Sequence, residues 1–206
     1  MRVIHFHTNT DWGGGENQVF HLLTGLRERG VSSVLFARGR GALARHCRDA
    51  GLNVRPLSRP PSTWLLRRVV RQSAPDLLHA HDSRALSIAQ RVVRRLNVPL
   101  VYTRRIASPL RNNPRSRRKY GRAGLDAVIA ISETVRKVFL ESGYPADRIF
   151  LAPSGLDVKA LDDVPPDLAL RNRFDSPPLV GGIGKLSRKK NWEFLLHAAA
   201  RLKSEG

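Results

Sequence analysis

The chain has 206 residues, of which 41% are hydrophobic, enough for a sizeable core and more than one compact layer set needs. Its one cysteine, Cys47, excludes an internal disulfide framework, and no apolar run approaches the ~20 residues that span a bilayer. Lys and Arg number 36 against 17 Asp and Glu, a formal charge of +19, which implies either a large solvated basic face or an anionic partner.

In chain order, short apolar runs alternate with amphipathic stretches. Val3 to His7 reads as a strand that hands over to Trp12-Gly13-Gly14-Gly15-Glu16-Asn17 and then to a helix through Arg29, stopped by Gly30. A glycine-rich strand-to-helix loop suits a phosphate, because the backbone can approach closely and the helix aims its first N–H groups and positive dipole end at it. Gly14 and Gly15 are therefore candidate phosphate contacts. Glu16 has two open readings, a ligand contact or a charge that favours the helix dipole. Val34 to Ala37 and Val54 to Leu57 read as strands around a helix from Ala42 to Ala50, and a further helix follows from Ser62. Leu77 to Ala80, Leu100 to Thr103, Val128 to Ile131 and Ile149 to Ala152 complete about seven strands. A helix from Ala85 to Leu96 and one from Ser132, a good N-cap, through Glu141 fall between them. This is the pattern of a doubly wound, Rossmann-like parallel sheet, α/β in class. Ligands of such sheets bind at the carboxyl ends of the strands near the switch in strand order. That places the Gly13 loop, His79-Ala80-His81-Asp82, Thr103-Arg104-Arg105 and Ser132-Glu133 around one crevice. His81 is expected to face it, and His79 to point to the other side of the strand, into the core.

Residues 158–178 shift to Asp and Pro, with a short helix expected around Leu168 to Arg173, and read as a linker after a first domain of residues 1–157. Residues 179–206 then offer a strand (Leu179 to Ile183), a turn holding Lys185 and Lys190, and a helix from Trp192 to Leu202. One strand and one helix cannot bury their own apolar faces, so a second α/β domain is expected to be incomplete here. Met1 leads straight into a strand, without an apolar signal segment, which together with the single cysteine fits a cytoplasmic protein.

From Ser83 to Leu125 there is no acidic residue and there are twelve Arg or Lys. Such a run is either a solvated face of an arginine-rich protein or a contact for an anionic membrane, a phosphorylated acceptor or nucleic acid. Arg115, Arg117, Arg118 and Lys119 are the candidates for membrane contact. Specific nucleic-acid binding is not expected, since Tyr120 is the lone aromatic among residues 112–122 and no recognition motif is present.

The ordered set of motifs resembles the retaining glycosyltransferases of family 4, which have the two-domain GT-B architecture. Gly13-Gly14-Gly15-Glu16 looks like the family's first donor-side loop, Asp76-Leu77-Leu78-His79-Ala80-His81 like its strand end before the crevice, and Ala130-Ile131-Ser132-Glu133 like its strand-to-helix step. Ala152-Pro153-Ser154-Gly155-Leu156-Asp157 is similar to the end of its first domain, and Gly184-Lys185-Leu186 with Lys190-Asn191 to the turn whose basic side chains hold the donor diphosphate. Two departures stand out: Lys185 where Arg is usual, and Arg104-Arg105 where many members carry His-Gly. The family's late pair of glutamates has no counterpart; Glu133 and Glu141 have the spacing but lie on a first-domain helix, as surface or packing residues.

The resemblance implies transfer of a sugar, of hexosyltransferase type, from a nucleotide diphosphate sugar to an acceptor hydroxyl with retention. The first domain would bind the acceptor and the second the donor, with no cofactor and no metal. Gly14, Gly15, Glu16, Lys185 and Lys190 would hold the donor phosphates, His81 would act on the transferring sugar or acceptor hydroxyl, and Arg104, Arg105 and Ser132 would meet the acceptor. A lipid-linked or lipopolysaccharide-type glycan would put the enzyme on the cytosolic face of the inner membrane as a peripheral protein. The alternatives are a non-catalytic basic module that binds anionic membrane or nucleic acid, and a sugar-nucleotide epimerase of the same fold. A chain lacking most of its donor domain is expected to be inactive or very weak alone.

Overall fold

A computed structural model describes residues 1–58, 60–94, 96–174, 181–184 and 186–205. The chain divides into two compact units, residues 1–156 and 157–206. The first unit alternates β1 (Arg2–Phe6), α1 (Gly14–Glu28), β2 (Ser32–Ala37), α2 (Ala42–Asp49), β3 (Val54–Pro56), α3 (Thr63–Ser73) and β4 (Leu77–Ala80). It continues through α4 (Ser83–Val93), β5 (Leu100–Arg104), α5 (Pro114–Tyr120), β6 (Ala127–Ala130), α6 (Glu133–Glu141) and β7 (Ile149–Leu151). All seven strands are parallel in the order β3-β2-β1-β4-β5-β6-β7, so the strand order reverses between β1 and β4.

Strand alternation sorts the core onto the two faces of this sheet. Ile4 and Phe6 of β1 and Phe36 of β2 pack with Leu66 and Val70 of α3, Leu86 and Ala89 of α4, and Val135 and Phe139 of α6. Leu35 and Ala37 of β2 face the other way, against Val19 and Leu23 of α1 and Leu43, Ala44 and Cys47 of α2. Burial pushes the Cys47 thiol up to about 11, as for a packing residue rather than a nucleophile. On the α1 face at the switch point the strands carry histidines instead of aliphatics, with His5 of β1 paired in register to His79 of β4.

The caps explain where the helices begin. Ser62 Oγ accepts from the Leu65 N–H at 3.3 Å, the Asp82 carboxylate from the N–H groups of Arg84 and Ala85 at 2.9 and 2.8 Å, and Ser132 Oγ from the Val135 N–H at 3.3 Å. Pro114 sits in the first turn of α5, and the Asn113 side chain accepts from the Ser116 N–H at 2.8 Å. Helix α5 lies in the acid-free segment, where no helix is apparent from sequence.

The second unit contains α7 (Val158–Asp162), α8 (Leu168–Asn172), a 3-10 turn at Arg188–Lys190 and α9 (Trp192–Glu205). The strand expected over 179–183 falls in part outside the described residues, and 181–184 form none. Helix α9 leaves Phe194, Leu196 and Leu202 exposed.

Candidate functional site

A crevice of about 680 Å³ opens at the carboxyl ends of β1, β4 and β5. His7, Asn9, Gly15 and Glu16 line it from the first loop, His81 and Asp82 from the end of β4, and Thr103, Arg104 and Arg105 from the end of β5. Lys119 and Tyr120 of α5 close another side.

Asp82 joins its two central walls. Besides capping α4, its carboxylate accepts from the Thr8 N–H at 2.6 Å and the Thr8 hydroxyl at 2.8 Å, which ties the chain leaving β1 to the start of α4. Gly13 is the N-cap of α1, so the N–H groups of Gly14 and Gly15 open the helix where no intrahelical partner exists. Gly14 is exposed, and a Cβ built on it would meet nothing within 4 Å. Its amide remains open to a ligand. On Gly13 a Cβ would come 3.2 Å from a Glu16 carboxylate oxygen, so the glycine there makes room for Glu16.

Glu16 is fixed from inside the protein. Its Oε1 lies 3.0 Å from His7 Nε2 and accepts from Asn9 Nδ2 at 3.0 Å. The His7 hydrogen bond, opposed by burial and helped by Asn9 and by the residue's own backbone N–H, holds the Glu16 carboxyl down at about 2. Of its two readings the geometry supports the internal one, a first-turn carboxylate that orients the loop.

His5, His79 and His81 form a buried cluster. The rings of His79 and His81 lie 4.0 Å apart, His5 Nδ1 and His81 Nε2 share a hydrogen bond of 3.0 Å, and His79 Nε2 is 2.7 Å from Thr103 Oγ1. Burial lowers all three pKa values, His5 to about 3, so at neutral pH they are neutral imidazoles that donate and accept but carry no charge. These three residues are also the one group among the described residues that can offer a metal ion three ligand nitrogens, all within 4.8 Å of one another. The hydrogen bonds above already engage a nitrogen on each ring.

The expectation that His79 points away from His81 is incorrect. Positions two apart on a strand share a face, and both rings lie in the same cluster. Arg104, a candidate acceptor ligand, lines the crevice and is also braced by its own loop. Its guanidinium is buried, donates from Nε to the Ile106 carbonyl at 2.8 Å and from Nη2 to the Ser108 carbonyl, and lies over the rings of Tyr120 and Phe139 at 5.7 and 5.9 Å. It shapes the loop after β5 and, through the same side chain, lines the crevice. Ser132 caps α6 and is not among the crevice residues.

Arg105 does line the crevice, donating from Nη1 to the His81 carbonyl at 3.0 Å. Burial pulls its pKa down while Glu16, Tyr102 and Asp82 oppose the shift. His7 Nδ1, His81 Nδ1 and Arg105 Nε are buried with no hydrogen-bond partner. Such groups cost about 1–3 kcal/mol each, and their concentration in one crevice is the mark of a functional site. Lys185 lies outside the described residues. Lys190 ends the 3-10 turn of the second unit and is exposed. Arg115, Arg117 and Arg118 project from α5 into solvent, and Lys119 is half-buried beside Tyr120.

His5, His7 and Asn9 are site residues that the sequence reading missed. A signal for the histidines was present: His5-x-His7 and His79-x-His81 have the same two-residue spacing at the ends of two strands, and the reversal point sets those strands side by side.

A parallel sheet with this strand order, helices on both faces and a polar crevice at the switch point defines a Rossmann-like domain of the GT-B type. Residues 12–160 match Glycosyltransferase Family 4, and the chain belongs to that family. No curated protein is similar in sequence. Among solved structures, Alr3699/HepE from Anabaena, in complex with UDP and glucose, superposes with a TM-score of 0.78 at 22% identity over 98% of this chain. A glycosyltransferase from Rickettsia africae gives 0.69 at 17% identity over 87% of the chain, and the lipopolysaccharide outer core galactosyltransferase WaaB 0.57 at 12% over 76%. The chain spans 58%, 50% and 46% of those proteins' lengths, respectively. At these identities the likeness concerns the fold.

Proposed function

We propose that the protein transfers a sugar from a nucleotide diphosphate sugar to the hydroxyl of a glycan acceptor, with retention at the anomeric carbon, in the synthesis of lipopolysaccharide or another cell-envelope glycan. The observation that carries this reading is the crevice itself: in a chain of this family, open helix N–H groups, a buried imidazole and cationic side chains meet at the strand-order reversal. The UDP and glucose bound by the Anabaena protein support a nucleotide-sugar donor, and the galactosyltransferase of the lipopolysaccharide outer core supports an envelope acceptor.

The chemistry follows from charge. The leaving diphosphate gains negative charge as the glycosidic bond to it breaks, so the transition state is favoured by donors and cations already aimed at it. The Gly14 and Gly15 amides and, on the second unit, Lys185 and Lys190 are assigned that task, which removes the need for a divalent metal. His81, neutral and held by His5, is assigned to the reacting sugar or acceptor hydroxyl. Arg105 is assigned to the acceptor. The basic α5 is assigned to the anionic cytosolic leaflet, where each cation contributes about 1 kcal/mol. Among the described residues no helix is long and apolar enough to cross a membrane.

The test is an incubation of the purified native protein with nucleotide diphosphate sugars and envelope lipids, with and without a chelator. Donor-dependent labelling of a lipid or glycan, indifferent to the chelator and with the donor's anomeric configuration kept, is the expected result. Hydrolysis or epimerisation of the donor without transfer would overturn it.

A further inference from the structure

A second cavity, about 610 Å³ in volume, lies along α4 and α5. Arg91, Arg94, Arg115, Arg118, Lys119 and Arg122 line it. Asp126 is the one carboxylate among its described lining residues, and that side chain accepts from the Leu100 N–H at 2.8 Å. None of the six cations forms an ion pair with a carboxylate among the described residues.

The groove is held in shape from beneath. Gln90 of α4 donates from Nε2 to the carbonyls of Lys119 and Gly124 at 2.7 and 2.9 Å, which clamps the end of α5 and the following turn onto α4. The clamp needs glycine. A Cβ on Gly124 would lie 2.5 Å from Gln90 Nε2, and one on Gly121 would lie 2.4 Å from the Arg117 carbonyl oxygen. Six like charges gathered around one cavity repel one another, and a bound polyanion relieves that repulsion. Five of the six are arginines, whose planar forks match phosphate oxygens two at a time. The groove also runs into the crevice, since Ser87, Arg115 and Lys119 line both cavities.

We infer that this groove binds a phosphate or diphosphate ester carried by the acceptor, anchoring the acceptor by its charge while its reactive hydroxyl lies in the adjoining crevice. This rests on the transferase reading for the hydroxyl, but not for the anion. The ester can belong to a lipid headgroup or to a soluble phosphorylated glycan.

The experiment titrates the full chain with inorganic pyrophosphate and, separately, with phosphatidic acid vesicles and phosphatidylcholine vesicles. Three proteins are compared: unaltered, R94Q/R118Q/R122Q, and a control R40Q/R45Q/R55Q, which removes the same charge from exposed arginines outside the groove. All six substitutions are at exposed positions, so folding should persist and circular dichroism verifies it. Saturable binding is expected to weaken about tenfold or more in the groove variant and less than about twofold in the control. Selective loss with pyrophosphate points to a phosphate that is readable in solution, and selective loss with phosphatidic acid alone points to a lipid headgroup; either supports the inference. No saturable binding in either arm, or equal weakening in both variants, overturns it in favour of diffuse surface charge. Neither arm uses sugar transfer, so a failed groove and a failed transferase are told apart.

Discussion

At the scale of single residues, the crevice depends on imidazoles kept neutral. Unfolded histidine titrates near 6.5, whereas His5, His79 and His81 titrate well below that in the fold. The sign follows directly: their depressed pKa values contribute stability that is fully present above about pH 6.5 and is lost as pH falls below it, because the unfolded chain then binds protons the native one refuses. Each histidine adds a slope of about 1.4 kcal/mol per pH unit, so the urea midpoint is expected to drop between about pH 6.5 and pH 5, and less steeply in H79Q. Glu16, held at about 2, adds a second, lower window whose stability is lost as pH falls from its unfolded value near 4.5. His81 is the residue on which catalysis is expected to turn. H81N should lower the rate of sugar transfer about 100-fold, with circular dichroism unchanged, and an undiminished rate would remove His81 from the chemistry. The positions of Gly15 and His81 at the crevice were legible because each sits where a strand hands over to a helix. The His7–Glu16 pair was not, because it depends on a loop folding nine residues back on itself, which no periodicity records.

At the scale of elements, the seven strands of the first unit were legible because most are short apolar runs bounded by Gly, Pro or Asp, and their observed ends differ from the expected ones by at most two residues. Helix α5 escaped detection for a physical reason. Its sequence, Pro-Arg-Ser-Arg-Arg-Lys-Tyr, has no apolar repeat, and its fold comes from the Asn113 cap, the Gln90 clamp and Tyr120 packed under Arg104. Those contacts reach across the chain and are invisible locally. Arg104 illustrates the same point: a basic residue that reads as a ligand also braces its own loop. R104M is expected to cost about 3 kcal/mol and to open the loop from Arg105 to Asn113 to trypsin, measurable as earlier cleavage within that loop. G121A is expected to cost about 1–3 kcal/mol in urea denaturation, since the added methyl meets backbone that cannot swing aside.

At the scale of the whole molecule, the distribution of charge bears on the proposed envelope acceptor. The acid-free segment is not an even coat. It supplies one side of the crevice, the walls of the neighbouring groove and the exposed face of α5. Association with anionic vesicles should therefore weaken steeply as salt rises from about 50 to about 200 mM, and sedimentation that ignores salt would count against electrostatic attachment. The chain spans 58% of the Anabaena protein it resembles. The central claim is sugar transfer at the crevice, and the most direct measurement compares the native-length protein with its H81N variant in the transfer of label from nucleotide diphosphate sugars to envelope lipid. The expected result is donor-dependent labelling that falls about 100-fold in the variant. Labelling that is equal in both, or absent from the unaltered protein with every donor while the fold is intact, would contradict it.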